Sequence, residues 1–335
     1  MYTFISFIFV FGLLVFFHEF GHFALAKLNN IKVHQFALGM GPKILSYKGK
    51  ETEYSLRILP IGGYVKMEGE DEDSDDERSF SKKSPLQRIS VLAAGPIMNI
   101  ILAIILLTII SFSIGNPVNI IDEVTKNSPA EKIGLKSGDE IIQIGNVDIG
   151  SWEDIVAAIS ESKEEVLNIV VNRNGEKISF NVEPEFDKEA NRKLIGITPV
   201  LKKSFINSIK ISVENVFLAT KAIFEFLISF FKGEASSEGV VGPVGMIHFV
   251  GKAARTSIYS LLSLAAVISI NLAILNILPF PALDGGRIIF AIIELIKGKP
   301  VDPNKEGFVH LIGFVILMVL MILVLYKDII RFNIL

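Results

Sequence analysis

The sequence predicts a polytopic α-helical membrane protein with four transmembrane helices. A β-rich module sits between the second and third helices, and a membrane-associated β-loop between the first and second. Three observations predict this class. Mean hydropathy is +0.49, high for a chain that keeps its whole surface in water. Residues 1–17, Ser90–Gly115, Thr256–Leu283 and Gly307–Tyr326 carry no Asp, Glu, Lys or Arg. Between the middle pair, residues 116–200 turn polar and alternate with the two-residue period of strands.

Composition narrows the chemistry. A net charge of -3 gives no basic excess for nucleic acid. Cysteine is absent, which excludes disulfides, a thiolate nucleophile and a cysteine-type zinc site. Any metal must be held by His, Asp or Glu, and the five histidines stand at 18, 22, 34, 248 and 310.

The first span, residues 1–28, holds the most informative stretch, His18-Glu19-Phe20-Gly21-His22. Residues four apart share one helix face, so both imidazoles reach one ion while Glu19 stands one step round the cylinder. H-E-x-x-H on a helix is the pattern of two zinc ligands and a general base. Ionisable groups inside a span cost about 2.5–3.5 kcal/mol each for Arg, Lys or Asp at a helix centre. A metal ion is the simplest partner that offsets such a cost. Residues 3–26 would make a helix of about 36 Å, enough for a hydrocarbon core of about 30 Å. A cleaved leader ending at Ala24-Leu25-Ala26 is the rival, but no basic region precedes the apolar run.

Residues 29–88 read as a polar loop with a membrane-reentrant hairpin at about 42–67. Tyr54, Leu56 and Ile58 alternate with Ser55 and Arg57, and Lys48-Gly49-Lys50 reads as the turn. Gly62, Gly63, Tyr64 and Val65 close the strand expected to pair with an extended substrate. The acidic stretch 68–77 reads as a solvated flexible loop, and His34 as a loop residue. The second span, 89–115, contains Gly95-Pro96-Ile97-Met98-Asn99; Gly95 marks a kink or close packing, and Asn99 shares its face.

Within 116–200, Ser128-Pro129-Ala130 precedes Gly134-Leu135-Lys136-Ser137-Gly138-Asp139. Trp152–Ser160 reads as a short helix, and 167–171 and 178–182 as strands. The module resembles a single bacterial PDZ domain, which implies capture of peptide tails at a sheet edge. Residues 201–255 follow as an amphipathic region. Lys210, Glu214, Lys221 and Glu225 fall on one stripe, which suits a helix lying on the membrane. Gly239–Gly245 reads as a glycine-rich loop, and His248 as a loop or interfacial residue. The third span, 256–284, ends in Asn276-Ile277-Leu278-Pro279-Phe280-Pro281-Ala282-Leu283-Asp284-Gly285. Pro279 and Pro281 forbid a smooth helix, and broken backbone at membrane depth needs a cavity or a protein cover. A cytosolic loop, 285–306, and a fourth span, 307–328, complete the chain. His310 reads as a polar contact to an adjacent helix.

Lysine and arginine near the span ends put the 29–88 loop in the cytosol. The module between spans two and three is then extracytoplasmic. If 201–255 only lies on the membrane, span three brings Asp284 to the cytosolic half, at the depth of His18 and His22. Were that region to cross, Asp284 would emerge about 30 Å away.

Taken together, H-E-x-x-H, the Gly95–Asn99 segment, a PDZ-like module and N-x-x-P-x-P-x-L-D-G, in this order, resemble the site-2 protease family. These are intramembrane zinc metalloproteases, and the likeness is to the regulator-of-sigma-E and RasP-type branch. The resemblance implies Zn2+ held by His18, His22 and Asp284, with Glu19 as acid–base. It further implies that Asn276 positions substrate or stabilises the oxyanion, with Gly95, Asn99, Pro279, Pro281 and Gly285 shaping the site. The implied partners are single-span membrane proteins, of anti-sigma-factor or remnant-signal-peptide type, and the lipid bilayer. A non-catalytic PDZ-bearing scaffold or chaperone is the alternative; an intact Glu19 weighs against it.

Overall fold

The computed structural model describes residues 2–70, 74–162, 164–188, 191–234 and 241–331. It divides into two compact units, Met1–Ile110 with Ile209–Leu335, and Ser111–Ser208.

The first unit opens with α1 (Tyr2–Leu28), apolar on all sides as a span is. Strands β1 (Val33–Lys48) and β2 (Glu53–Met67) pair antiparallel and lead to α2 (Pro85–Ile114). The hairpin is doubled back on itself. Residues 35–38 meet 63–66 on one side (Phe36 opposite Val65, Leu38 opposite Gly63) and 53–56 on the other. Segment 45–48 then pairs with the far side of 53–56. Gly39 and Gly41 adopt φ of 85° and 84°, which lets β1 turn sharply between its two segments. Residues 63–66 are therefore an edge, with no further strand beside them among the described residues. Phe36, Val65 and Met67 pack with Ala26 of α1 and Val91 and Leu92 of α2, fixing the sheet to both helices.

The second unit comprises β3 (Asn116–Val124), α3 (Pro129–Lys132), β4 (Glu140–Ile144), β5 (Val147–Asp148), α4 (Trp152–Ser160), β6 (Leu167–Arg173), β7 (Glu176–Val182), β8 (Glu185–Asp187), β9 (Arg192–Leu194) and β10 (Ile197–Lys202). The main sheet runs β10-β3-β4-β6-β7, with β5 on β4. Ile121, Ile141, Ile155, Ile169 and Val171 fill its core. A capping box starts α4: Ser151 Oγ accepts the Asp154 N–H, and the Asp154 carboxylate accepts the Ser151 N–H. Asp139, 1% exposed, accepts two bonds from Arg173, at 2.6 and 2.7 Å. Burial alone would raise this carboxyl, but the guanidinium beside it holds it below the usual carboxylate range.

The first unit resumes in α5 (Phe205–Phe231), α6 (Pro243–Thr256), α7 (Ile258–Ile277), α8 (Asp284–Lys297) and α9 (Pro303–Arg331). Among the described residues, α1, α2, α7 and α9 are long and apolar enough to cross a membrane. Helix α5 carries exposed pairs Lys210–Glu214 and Lys221–Glu225 instead. The shared core is built from Val10 and Leu14 (α1), Leu102, Ala103 and Leu106 (α2), Val216 (α5), Val250 (α6), and Leu261, Ala265, Ala266, Ile270 and Ile274 (α7). Around α9, Phe308, Leu311, Phe314 and Ile322 stay exposed, a surface suited to lipid.

Several sequence expectations need correction. The hairpin begins at Val33 rather than near residue 42, because 33–38 supplies its central segment. His34 lies in that strand, with Nε2 2.5 Å from Glu68. The described acids of 68–77 are not simply solvated: Lys32 pairs with Glu68 and Asp76, and Arg287 with Glu70. Residues 71–73 lie outside the described residues. Part of the Gly239–Gly245 loop also does, but from Pro243 onward it is helix α6, so His248 is helical. Proline suits a first helical position, and buried Asp328 accepts the N–H groups of Gly242 and Gly245 at 3.2 and 2.8 Å. The 285–306 loop is mostly helix α8. Ile288, Ala291, Ile292 and Leu295 give it an apolar face, while Arg287 and Glu294 reach Glu70 and Arg88.

Candidate metal centre

Helices α1 and α2 cross at glycines. A Cβ on Gly21 would strike the Ala94 carbonyl, and one on Gly95 would strike the His18 and His22 rings. With no side chain at either place, both rings fit under α2. Val91, Gly95 and Asn99 recur every four residues on the facing side of α2. The His22 Nδ1 proton goes to the Val91 carbonyl at 2.8 Å, which leaves Nε2 with its lone pair. Asn99 is fully buried, and its amide lies 3.4 Å from His18 Nδ1. Pro96, inside α2, leaves the Leu92 carbonyl without its helical donor.

The third group arrives from the other end of the chain. Helix α7 stops at Ile277, the two prolines follow, and Asp284 is the first residue of α8. Leu283 is the N-cap, so Asp284 does not cap the helix with its side chain. Its Oδ2 lies 3.5 Å from Nε2 of both His18 and His22, and those nitrogens are 3.3 Å apart. Oδ2 is buried and has no hydrogen-bond partner. Ligand atoms at about 2.0–2.1 Å from a tetrahedral zinc stand about 3.3 Å from each other. The three donors fit zinc in type, spacing and burial, and they leave a fourth position open. Among the described residues, they form the one group of His, Asp or Glu spaced to hold a metal.

The other expected residues take these places. Glu19 is half-buried, and a Cβ on Gly63 would lie 2.8 Å from its Cγ, so the edge of β2 runs directly beside it. Gly62 takes a φ of 75°. The Tyr64 hydroxyl donates to Gln35 at 2.7 Å and accepts from Arg57, while Val65 faces the hairpin core. Asn276 Nδ2 is 3.5 Å from His18 Nε2. Pro279 is exposed, Pro281 lies against Gly313 of α9, and Gly285 meets the carbonyls of Ile277 and Leu278. Sequence reasoning missed Val91, whose contribution is a main-chain carbonyl and leaves no mark on residue type.

A sequence model of peptidase family M50 matches residues 6–320. The chain belongs to peptidase family M50. Two relatives match over nearly their whole length. A provisionally named zinc metalloprotease of Clostridium acetobutylicum is 44% identical, with 96% of each chain covered. The regulator of sigma-W protease RasP of Bacillus subtilis is 34% identical, with 98% of each covered. A quarter of this M50 chain also aligns with 88% of the PDZ domain of an SdrC-like protein from Listeria monocytogenes, at 22% identity and a TM-score of 0.23; at that score the likeness carries no argument. As an M50 peptidase the protein is a multi-pass membrane zinc metalloprotease of the site-2 kind, with Zn2+ as cofactor. A non-catalytic scaffold is thereby set aside.

Proposed function

We propose that the protein is an intramembrane endopeptidase that cleaves transmembrane segments of single-span membrane proteins, with zinc held by His18, His22 and Asp284. One observation carries this reading: a buried carboxylate oxygen without a hydrogen-bond partner stands 3.5 Å from two imidazole nitrogens inside apolar helices. Bound zinc supplies Lewis acidity, polarising a peptide carbonyl and making water a stronger acid. Glu19 takes a proton from the attacking water and gives it to the leaving amine. Asn276, beside His18, offers an amide donor to the substrate carbonyl.

A helical substrate shields its carbonyls with its own turn, so the scissile segment must be extended. The unpaired side of residues 63–66 offers backbone groups for that extended segment, next to Glu19. The 116–200 module acts as an extracytoplasmic PDZ domain that takes peptide tails, and the metal centre lies toward the cytosolic half, following the lysine and arginine bias. The substrates are anti-sigma factors or remnant signal peptides, trimmed to a single span. The test is cleavage of a purified single-span substrate in lipid bilayers by wild-type and Glu19→Gln protein. Lost cleavage with zinc retained supports the reading; cleavage by Glu19→Gln overturns it.

A further inference from the structure

The loop that presents Asp284 is held from outside the metal centre. Its backbone contains Ala282 at a φ of 75°, a left-handed conformation that costs a non-glycine residue about 1–2 kcal/mol. The Ala282 N–H donates to His310 Nδ1 on α9, at 2.9 Å. To accept there, the imidazole must carry its proton on Nε2. Nε2 is buried without a hydrogen-bond partner, and the Glu306 carboxylate, one turn earlier, lies 3.7 Å away. The ring also packs on Phe290 of α8, at 5.5 Å between centroids. His310 thus touches the chain on both sides of Asp284. On the same face of α9, Gly313 leaves just enough room for Pro281; a Cβ there would collide with the proline ring and carbonyl.

We propose that His310 is a positioning residue for Asp284: its imidazole fixes the left-handed turn at Ala282 and so sets where the carboxylate stands relative to His18 and His22. The inference rests on the reading of Asp284 as a metal ligand. No part of it needs His310 to touch zinc or substrate. Helix α9 becomes the outer wall of the metal centre as well as a span, although among the described residues it adds no member to the group spaced to hold a metal.

The test uses the full-length protein in lipid nanodiscs, with Zn2+ affinity measured by chelator competition and the visible spectrum of the Co2+-loaded form reporting ligand geometry. Asp284→Ala defines the signature of a lost carboxylate. His310→Ala is expected to weaken zinc about ten-fold or more, in the range typical of groups that orient ligands, and to move the Co2+ bands toward that signature. His310→Asn, whose Oδ1 falls near the position of Nδ1, restores both. Gly313→Ala, which displaces Pro281 by a separate contact, shifts the bands in the same direction. Wild-type bands and affinity in His310→Ala overturn the inference, even if the variant melts at a lower temperature. If Asp284→Ala itself leaves bands and affinity unchanged, the ligand reading fails and the inference falls with it.

Discussion

Asn99 lies 3.4 Å from Nδ1 of His18, fully buried, with its Oδ1 lacking any hydrogen-bond partner. A half-turn of the amide gives Oδ1 the imidazole N–H it lacks, because the two amide atoms differ only in what they donate or accept. His18 then matches His22, whose Nδ1 proton goes to Val91 at 2.8 Å. In both rings Nε2 is left to face Asp284. Asn99→Leu, similar in size but with no acceptor, is expected to weaken zinc about 10–100-fold. Chelator competition checks this, and unaltered affinity would remove Asn99 from the centre.

The two glycines nearest the chemistry separate binding from catalysis. A Cβ on Gly95 falls on the histidine rings, so Gly95→Ala is expected to lose zinc and cleavage together. A Cβ on Gly63 falls 2.8 Å from the Glu19 Cγ and 2.8 Å from the Ala37 carbonyl, with no ligand in its way. Gly63→Ala is expected to keep zinc and lower kcat at least about ten-fold, since displacing the proposed general base, Glu19, by about 1 Å is enough for such a loss. Metal analysis beside single-turnover cleavage distinguishes the two. Equal zinc loss in both variants would contradict the arrangement.

Placement that depends on spacing along one helix was legible in the sequence. His18, Glu19 and His22 declare themselves by helical period and by charge inside an apolar run. Asp284 is marked by the prolines before it, although only the fold brings it to the rings. The doubled hairpin was not legible, because residues 35–38 pair on two sides and the turns at Gly39 and Gly41 interrupt the alternation. Helix α8 was not expected in the 285–306 loop; its opening pair, Gly285-Gly286, packs closely against the carbonyls of Ile277, Leu278 and Phe280. Ala282 gave no signal either. A left-handed alanine is a consequence of tertiary contacts, and residue type carries no trace of it.

The free edge of β2 makes a prediction in two arms. Along a strand, successive N–H groups point to opposite sides, so proline at adjacent positions removes donors facing opposite ways. Of Tyr64→Pro and Val65→Pro, one takes a donor from the ladder with residues 35–38 and the other from the unpaired side. The outward variant is expected to keep the hairpin's amide protection and bound zinc yet lose substrate cleavage. Hydrogen exchange of residues 33–38 tells which is which. Normal cleavage in the variant with an intact ladder would exclude strand addition at this edge.

In the second unit, the Asp139–Arg173 pair gives a pH dependence whose sign is fixed. The native carboxyl is held below the usual carboxylate range by Arg173, so its stabilising contribution is present above that range and is lost as pH falls through the depressed value. Asp139 also accepts the Lys136 N–H at 2.8 Å, and Arg173 lies over the Phe180 ring. Arg173→Ala therefore leaves a buried carboxylate with one main-chain donor and only the weaker field of Lys136 as counter-charge. Arg173 itself is partly exposed, so the loss is that of a buried acceptor left short of its partners, about 1–3 kcal/mol. The variant is expected to show that order of loss at pH 7, read from hydrogen exchange of the β4 and β6 amides in the full-length protein. Near pH 3 the gap should narrow, because protonating Asp139 in the variant relieves the unpaired charge while the wild-type pair weakens. A loss of equal size at both pH values would mean that Arg173 acts through its packing on Phe180 and not through its charge.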